Sequence, residues 1–412
     1  MNSSWIDRTA RGAVLRALRG IERGSLTVTW PGGREEIHGA PGPVAQLQVE
    51  DDRFFRRALF GGEIGLGESY MDGEWSTPNL VRLVELMIAN REVLNTLPGM
   101  LSWPSRVRDT IAHVRRGNSR QGSRKNIHDH YDLSNEFFSL FLDRSLMYSC
   151  AVFETPGDSL EQAQRAKLAS ICEQLQLGPD DHVLEIGTGW GGFAAYAATH
   201  HGCRITTTTI SREQHDYAQQ YFRSTGLDLR IDLRLEDYRD LRGTFDKIVS
   251  IEMFEAVGLD HYDDFFGACN RLLSPSGSML LQTITVDDWR FEDYRRTPSW
   301  IAKYIFPGSE LASVSRILAS LERVSTLGLM SIEQIGPHYA PTLREWRRRF
   351  MARLDEVRAL GFDDRFIRMW DLYLAYCEAA FASHHIGNAQ LVLAKPAARG
   401  SMPLREGTCA VA

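Results

Sequence analysis

VLEIGTGWGGFA, residues 183–194, is an apolar run followed by four glycines and an alanine-rich helical pattern. Gly187, Gly189 and Gly192 fit GxGxxG, directly after a predicted strand and before the predicted helix GFAAYAAT. Such a loop lets backbone approach a nucleotide-type ligand closely, but the spacing alone does not say which ligand. A redox dinucleotide calls for an acid about 20 residues further on to grip the ribose. Here the second strand ends TTTTISREQ, so Thr209, Ile210 and Ser211 fill that place and Glu213 already lies in the next helix. Other acids suit a different cofactor. Glu185 precedes the first glycine, where it can hold a methionine amino group through loop contacts or water. LEDYRDL puts Asp237 at the end of the third strand, where it can accept from an adenine amine. LLSPSGSMLLQT reads as a helix, a Pro/Gly turn and a strand, the usual late element of a methyltransferase sheet. The expected cofactor is therefore S-adenosylmethionine, which has no phosphate, and a nicotinamide oxidoreductase keeps only the glycine spacing in its favour.

Working outward, the segments HVLEIG, CRITTTTI, LRIDLRLE, FDKIVSI and SMLLQTIT alternate with helical stretches. That alternation predicts an α/β fold, a Rossmann-like, mostly parallel sheet of the class I methyltransferase type with helices on both faces. It occupies 128–395. Residues 1–95 read as a small α+β domain: SLTVTW is a strand before a Pro-Gly-Gly turn, RFFRRALFGGEIGLGESYMDGEW a helix running into a glycine-rich turn, and LVRLVELMIANREVL a helix. Residues 96–127, rich in Arg, Ser and Gly, read as a basic linker, either a solvated tether or a strip facing anionic lipid. Residues 396–412 read as a flexible tail.

The chain has 412 residues, 43% hydrophobic and 24% charged, with net charge −6, so no basic field draws it to nucleic acid. Cys150, Cys172, Cys203, Cys269, Cys377 and Cys409 lack metal-ligand spacing and read as free thiols in a reducing compartment; no metal site is expected. The start has no signal-like apolar core, and no run approaches the ~20 apolar residues of a membrane helix. These features predict a cytoplasmic protein that is still able to touch a membrane surface.

HYDLSNEFFSLFLDRSLMYSCAVFE, residues 130–154, is dense in aromatics. Phe137, Phe138, Leu140 and Phe141 either cap the sheet or line a pocket for a long apolar substrate. Together with YSCAVFE, LEIGTGWGGFA, TTTTISREQ, DYRDL, FDKIVSIEMFEAVG, LLSPSGSMLLQTIT, YIFPGSEL and HYAPTLREW, in that order, the chain over roughly 128–395 resembles the cyclopropane-fatty-acyl-phospholipid synthase family, which includes the mycolic acid cyclopropane synthases.

The resemblance implies methyl transfer from S-adenosylmethionine to a cis double bond of a lipid acyl chain, a carbocation, and ring closure when a base takes a proton from the new methyl group. It implies bicarbonate as that base, caged by Cys150, Glu255, the Ile284 backbone and Tyr339, with Gln282 where most members have His. Ala256 also stands where many have His. These departures leave open a methylene- or methyl-branched product. Glu252 is expected to be structural. Cys377 matches a cysteine sometimes assigned as catalytic. Cofactor contacts carried over are Tyr148, Ser149, Leu184, Glu185, Ile186, Gly187, Thr188, Gly189, Trp190, Gly191, Gly192, Thr209, Ile210, Ser211, Gln214, Asp237 and Tyr238; Thr188 is often Cys in relatives. The N-terminal region resembles the small lipid-associated domain of the phospholipid-acting members. The expected substrate is thus an unsaturated phospholipid acyl chain, reached peripherally at the inner face of the membrane, with a homodimer left open. YIFPGSELASVSRILASLERV reads equally as a lid or a surface helix, and LREWRRRFMARLDEVRALG as a basic amphipathic helix facing either water or anionic lipid. A non-catalytic lipid carrier and a methyltransferase of small hydroxyl compounds are further alternatives.

Overall fold

The computed structural model describes residues 5–94, 134–297 and 299–399. The expected linker 96–127, the first residues of the expected 128–395 unit and most of the tail lie outside the described residues. Within the tail, Pro396–Ala398 forms a short 3-10 turn.

Seven strands form the larger sheet, in the order β10-β11-β9-β8-β5-β6-β7. They are β5 (His182–Ile186), β6 (Arg204–Thr209), β7 (Ile231–Leu235), β8 (Phe245–Ile251), β9 (Leu273–Thr285), β10 (Gly328–Gln334) and β11 (Gly387–Ala394). The run β9-β8-β5-β6-β7 is parallel, and β11 and β10 close the edge antiparallel. This is the mostly parallel α/β sheet expected. Its burial follows the pleat. Leu184, Ile248, Leu281 and Leu391 pack on one face, whereas their neighbours Val183, Val249, Leu280 and Val392 pack on the other. Both faces are therefore covered, which is why the strands read as near-continuous apolar runs. The strand order reverses at β5, with β6 on one side and β8 on the other. In open α/β sheets that reversal leaves a crevice at the carboxyl ends of the strands.

One expectation fails at β9. The SPSG segment is not a turn ahead of the strand but part of it. Phe245 pairs with Leu273 and Lys247 with Ser278, so the residues between bulge out while pairing resumes beyond. The Pro lacks an N–H and the Gly relaxes the backbone, which makes them tolerable at a bulge as well as at a turn.

A four-stranded sheet lies toward the N-terminus, ordered β2-β1-β3-β4: β1 (Ser25–Thr29), β2 (Glu35–Gly39), β3 (Val44–Val49) and β4 (Trp75–Ser76). The helix Arg53–Met71 does not stop at its glycines. It breaks at Gly62 (φ 55°, ψ −136°), resumes, and ends before Asp72. Its second half meets the larger unit. Gly67 faces the Trp300 ring, Trp300 N donates to Glu63, and Lys303 Nζ and Tyr304 OH both donate to Glu68 at 2.7 and 2.6 Å. Farther along the chain, Tyr70 OH donates to Asp371 at 2.9 Å, on the long helix Asp364–Ala382.

The aromatic segment resolves toward packing. Phe137, Phe138 and Phe141 are fully buried and sit edge-on or tilted against Trp370, 4.8 Å between the Phe137 and Trp370 centroids. The basic helix Tyr339–Met351 buries Leu343, Trp346 and Phe350, and its arginines are paired: Arg344 with Glu378, Arg347 with Asp371, Arg348 with Glu345, and Arg349 with Glu161 and Glu345. The lipid-facing alternative for this helix loses its free charges.

The Gly67–Trp300 contact gives a test. An alanine Cβ there lies 2.3 Å from the indole, a clash expected to cost about 1–3 kcal/mol and to outweigh the roughly 1 kcal/mol helix gain from replacing glycine. Gly67→Ala should lower the urea midpoint. Gly12→Ala, whose Cβ meets nothing and which lies in the helix Trp5–Arg19, should leave it unchanged or raise it.

Candidate active site

The carboxyl ends of the five parallel strands feed one cavity of about 340 Å³, lined by Ile186, Thr209, Glu236, Ile251 and Ile284 among others. A pocket of this size suits a small ligand.

The glycine loop forms part of this lining. Gly187, Gly189 and Gly191 adopt φ of 102°, 52° and 91°, the left-handed region that a Cβ disfavours. A Cβ at Gly191 would meet Phe222 at 2.7 Å, and one at Gly192 would meet Met147 Sδ at 2.6 Å. At Gly189, which lines the cavity, it would meet nothing, so the backbone there is open to a ligand. Glu185 acts on the loop from behind. It does not line the cavity; its carboxylate accepts from Thr207 Oγ1 at 2.6 Å, and Thr207 meets Thr188 Oγ1 at 2.7 Å. Burial pushes its pKa up to about 8, against the Thr207 hydrogen bond and the Lys167 charge. Lys167, fully buried, donates to Ser149 Oγ at 3.0 Å and is itself pushed down to about 8 by burial.

Of the remaining cofactor candidates, Tyr148, Ile186, Gly187, Trp190, Ile210, Gln214, Asp237 and Tyr238 join Thr209 and Gly189 at the cavity. Ser149, Leu184, Thr188, Gly191, Gly192 and Ser211 lie a layer back; Ser211 caps the helix Arg212–Ser224 by accepting from Gln214 N. Trp190 Nε1 donates to Asn135 at 2.7 Å, which fixes the indole at the wall. Gln214 accepts from Thr209 Oγ1 at 3.0 Å. Asp237 is clasped by Arg239 through two hydrogen bonds of 2.8 and 2.6 Å, so its carboxylate reaches any adenine already partnered. Hydroxyl, amide and carboxylate groups beside an open glycine backbone fit an adenosyl amino acid.

Two carboxylates and several tyrosines share the same lining. Glu255, in a 3-10 turn after β8, accepts from Ile284 N and from Thr283 Oγ1 at 3.0 Å, while its Oε2 is buried without a partner. Burial, and then the charge of Glu252, push its pKa up to about 7. Glu252, expected to be structural, does tie its surroundings together, and it also faces the cavity. It lines the cavity, and its carboxylate accepts from Cys150 N (2.9 Å), Gln282 Nε2 (2.8 Å), Asn388 Nδ2 (2.6 Å) and Tyr339 OH (2.7 Å). Cys150 and Gln282 are fully buried behind it and do not line the cavity. The Cys150 thiol turns away toward the carbonyls of Ala151 and Ile335, and burial, with the Glu252 charge, holds it well above the ordinary thiol range. Tyr339 lines the cavity, as do Tyr148 and Tyr373, whose hydroxyls meet at 2.9 Å. Cys377 lines it too, with its thiol pushed up to about 12 by burial, so it offers no thiolate.

The segment after β9 divides the two readings given to it. Ile301, Ala302, Phe306 and Pro307 form a cavity wall, whereas Val314–Val324 is a helix on the outer layer, tied to Asp263 through Ser320 and Arg323. Sequence reasoning passed over Lys167, Asn388 and the pair Arg290–His385. Arg290 donates to the His385 carbonyl at 2.6 Å and meets its ring at 2.8 Å. Burial, then Arg290, push His385 down to about 4, so it is neutral at the wall. No spacing signal marks these residues, because each partner comes from a distant element.

Comparison with known proteins agrees with this geometry. Residues 118–391 match the family described as mycolic acid cyclopropane synthetase. The chain is 41% identical to the tuberculostearic acid methyltransferase of Mycobacterium tuberculosis over 83% of its length and 81% of that protein. It is also 41% identical to the cyclopropane-fatty-acyl-phospholipid synthase of Escherichia coli, over 86% and 89%. Among solved structures, a cyclopropane synthase of Mycobacterium tuberculosis superposes with a TM-score of 0.62 at 30% identity, covering 66% of this chain and 98% of that one. A mycolic acid cyclopropane synthase complexed with SAH superposes with 0.61, also at 30% identity, covering 66% and 98%. With its sheet, its glycine loop and its match over two thirds of its length, the chain belongs to the mycolic acid cyclopropane synthetase family of S-adenosylmethionine-dependent methyltransferases.

Proposed function

We propose that this enzyme methylates a cis double bond in the acyl chain of an unsaturated phospholipid and closes a cyclopropane ring. The observation that carries the reading is one cavity whose lining brings together the glycine loop, apolar walls, tyrosines and two carboxylates. Bound S-adenosylmethionine supplies an electrophilic methyl group on a cationic sulfur. Gly187, Gly189, Thr209, Gln214 and Asp237 are the groups placed to hold and align it, which matters because an alkene is a poor nucleophile. Ile251, Ile284, Phe306 and Leu343 exclude water from the carbocation that results. The faces of Tyr148, Tyr339 and Tyr373, with the carboxylates, stabilise that cation. Burial raises the Tyr339 and Tyr373 hydroxyls well above their ordinary range, so both rings stay protonated.

Bicarbonate fits these residues poorly. Of the donors expected to cage it, Cys150 N, Gln282 and Tyr339 are engaged on Glu252, and Ile284 N is engaged on Glu255.

The N-terminal unit supports action at a membrane surface, on the inner face, without spanning. Among the described residues no helix is long and apolar enough to cross a bilayer, and the helix Arg53–Met71 braces the cavity wall that a lipid chain would pass. A second reading, the same transfer giving a methylene- or methyl-branched chain, draws on the equally similar tuberculostearic acid methyltransferase.

Vesicles of cis-unsaturated phospholipid incubated with the enzyme and methyl-labelled S-adenosylmethionine should gain label in their acyl chains, one CH2 per turnover. A product that resists mild hydrogenation is a ring; a product that takes up hydrogen is a methylene or a methyl-branched alkene, because a saturated branch needs a reductant that the assay does not contain. Label that never enters the chains removes the reading. Calorimetry should show saturable binding of S-adenosylmethionine and none of NADH.

Glu255→Gln should bind the cofactor within a few-fold of wild type and lose roughly 10²–10⁴ in turnover; equal turnover removes Glu255 from the chemistry. The same variant has a pH signature. A folded pKa of about 7, above the ordinary 4.5, means that the folded state holds this proton more tightly than the unfolded chain. The stabilisation is therefore present below about 4.5 and lost as pH rises through about 7. The melting temperature of Glu255→Gln minus that of wild type should grow between pH 5 and pH 8. A difference that stays flat contradicts a buried, protonated Glu255.

A further inference from the structure

We propose that Glu252 is the base that closes the ring, so that the chain supplies as a side chain the anion expected from solution. This rests on the alkene-methylation reading. Four donors converge on the Glu252 carboxylate: Cys150 N, Gln282 Nε2 and Asn388 Nδ2 on Oε1, and Tyr339 OH on Oε2. Three of them are N–H groups that can only donate, and the Tyr339 hydroxyl is turned to donate, so the carboxylate is held as an acceptor on both oxygens.

The orientation of Gln282 is fixed by a relay of amides. Gln174 Nε2 donates to Gln390 Oε1 at 2.6 Å, Gln390 Nε2 donates to Gln282 Oε1 at 2.9 Å, and Gln282 Nε2 then points its remaining donor at Glu252. The register of β11 on β9 places Gln390 opposite Gln282 and Asn388 opposite Ile284, so the sheet itself sets this clamp.

The backbone gives a second, independent sign. Glu252 sits at φ 47°, a left-handed conformation that is costly for a residue with a Cβ. Such strain persists where the surroundings over-determine it, and it concentrates at working sites. Here the strain turns the carboxylate into the cavity, where Oε2, holding one donor against three on Oε1, keeps an open lone pair. The C–H bonds beside a carbocation are strongly acidic, so the position of the acceptor oxygen matters more than its basicity. In the step, the electron pair of one C–H bond of the transferred methyl forms the second ring bond to the cationic carbon. The proton passes to Glu252 Oε2, and the protonated side chain returns it to water when the product leaves.

The test uses the full chain in decarbonated buffer and in the same buffer with added bicarbonate, and follows ¹³C-bicarbonate binding by NMR. Wild type should turn over at the same rate in both and show no saturable bicarbonate binding. Glu252→Gln keeps the shape of the clamp; it should bind S-adenosylmethionine by calorimetry as wild type does and lose about 100-fold or more in turnover. Glu252→Gly, whose backbone accepts φ 47° without strain, should free the four donors, bind ¹³C-bicarbonate saturably, and regain about 10-fold in turnover when bicarbonate or formate is added. A wild type that binds bicarbonate, or slows when it is removed, overturns the proposal, as does full activity of Glu252→Gln. If wild type labels no lipid at all, it is the methylation reading that falls, and the NMR titration still decides whether the clamp is already filled.

Discussion

A single carboxylate gripped by four donors organises one wall of the cavity. Glu252 follows β8 directly, and its backbone N–H donates to the Gln282 carbonyl at 2.8 Å, which continues the β8–β9 ladder one residue beyond the strand. Its side chain then draws in groups from four other places: Cys150 after the aromatic segment, Gln282 on β9, Tyr339 at the head of a helix and Asn388 on β11. Charge-assisted hydrogen bonds are the stronger kind, and removing this half-buried carboxylate takes one partner from each of the four donors. The site and the local packing are thus one structure.

The remaining electrostatics follow the same logic of burial. Lys167 and Glu185 lie in the layer behind the loop, and their charges partly offset each other's cost of burial. Lys167 holds Ser149 next to Cys150, and Glu185 holds Thr207 and, through it, Thr188 in the glycine loop. Neither reaches the cavity. They set the positions of residues that do, Tyr148 on one side and Gly187 and Gly189 on the other. By contrast Glu255 carries an unpartnered oxygen and an adjacent negative charge, so it resists ionisation until a cation is brought near.

Much of the fold was legible because it is written in local periodicity. The five parallel strands are apolar runs bounded by turn residues, and the loop glycines fall where the backbone takes positive φ. What escaped is written in register and long-range partnership. SPSG carries turn chemistry, but its neighbours on β8 absorb it as a bulge. Glu252 and Glu255 are three apart on paper and equivalent by residue type. Only the left-handed backbone at 252, and a partner 136 residues away in Asn388, separate their roles. Gln282 looked like a weakened histidine. Its meaning depends on Gln390 directly across the sheet, which no single-segment reading supplies. The basic helix looked free because its counter-charges come from other helices, Glu161, Asp371 and Glu378.

The N-terminal unit belongs in the same argument, because it is mechanically tied to the cavity. Ile301, Ala302 and Phe306 form the wall, and Trp300, Lys303 and Tyr304 on the same short segment are held by Gly67, Glu63 and Glu68. A five-residue helix such as Trp300–Tyr304 has little intrinsic stability of its own. Its position is therefore set by what it docks on. Two hydrogen bonds to one half-buried carboxylate, Glu68, and one indole on a glycine are contacts weak enough to break singly, yet together they hold this wall segment on the N-terminal helix. The glycine at 67 lets the helix come close enough to brace the wall, and the break at Gly62 aims that half of the helix toward it.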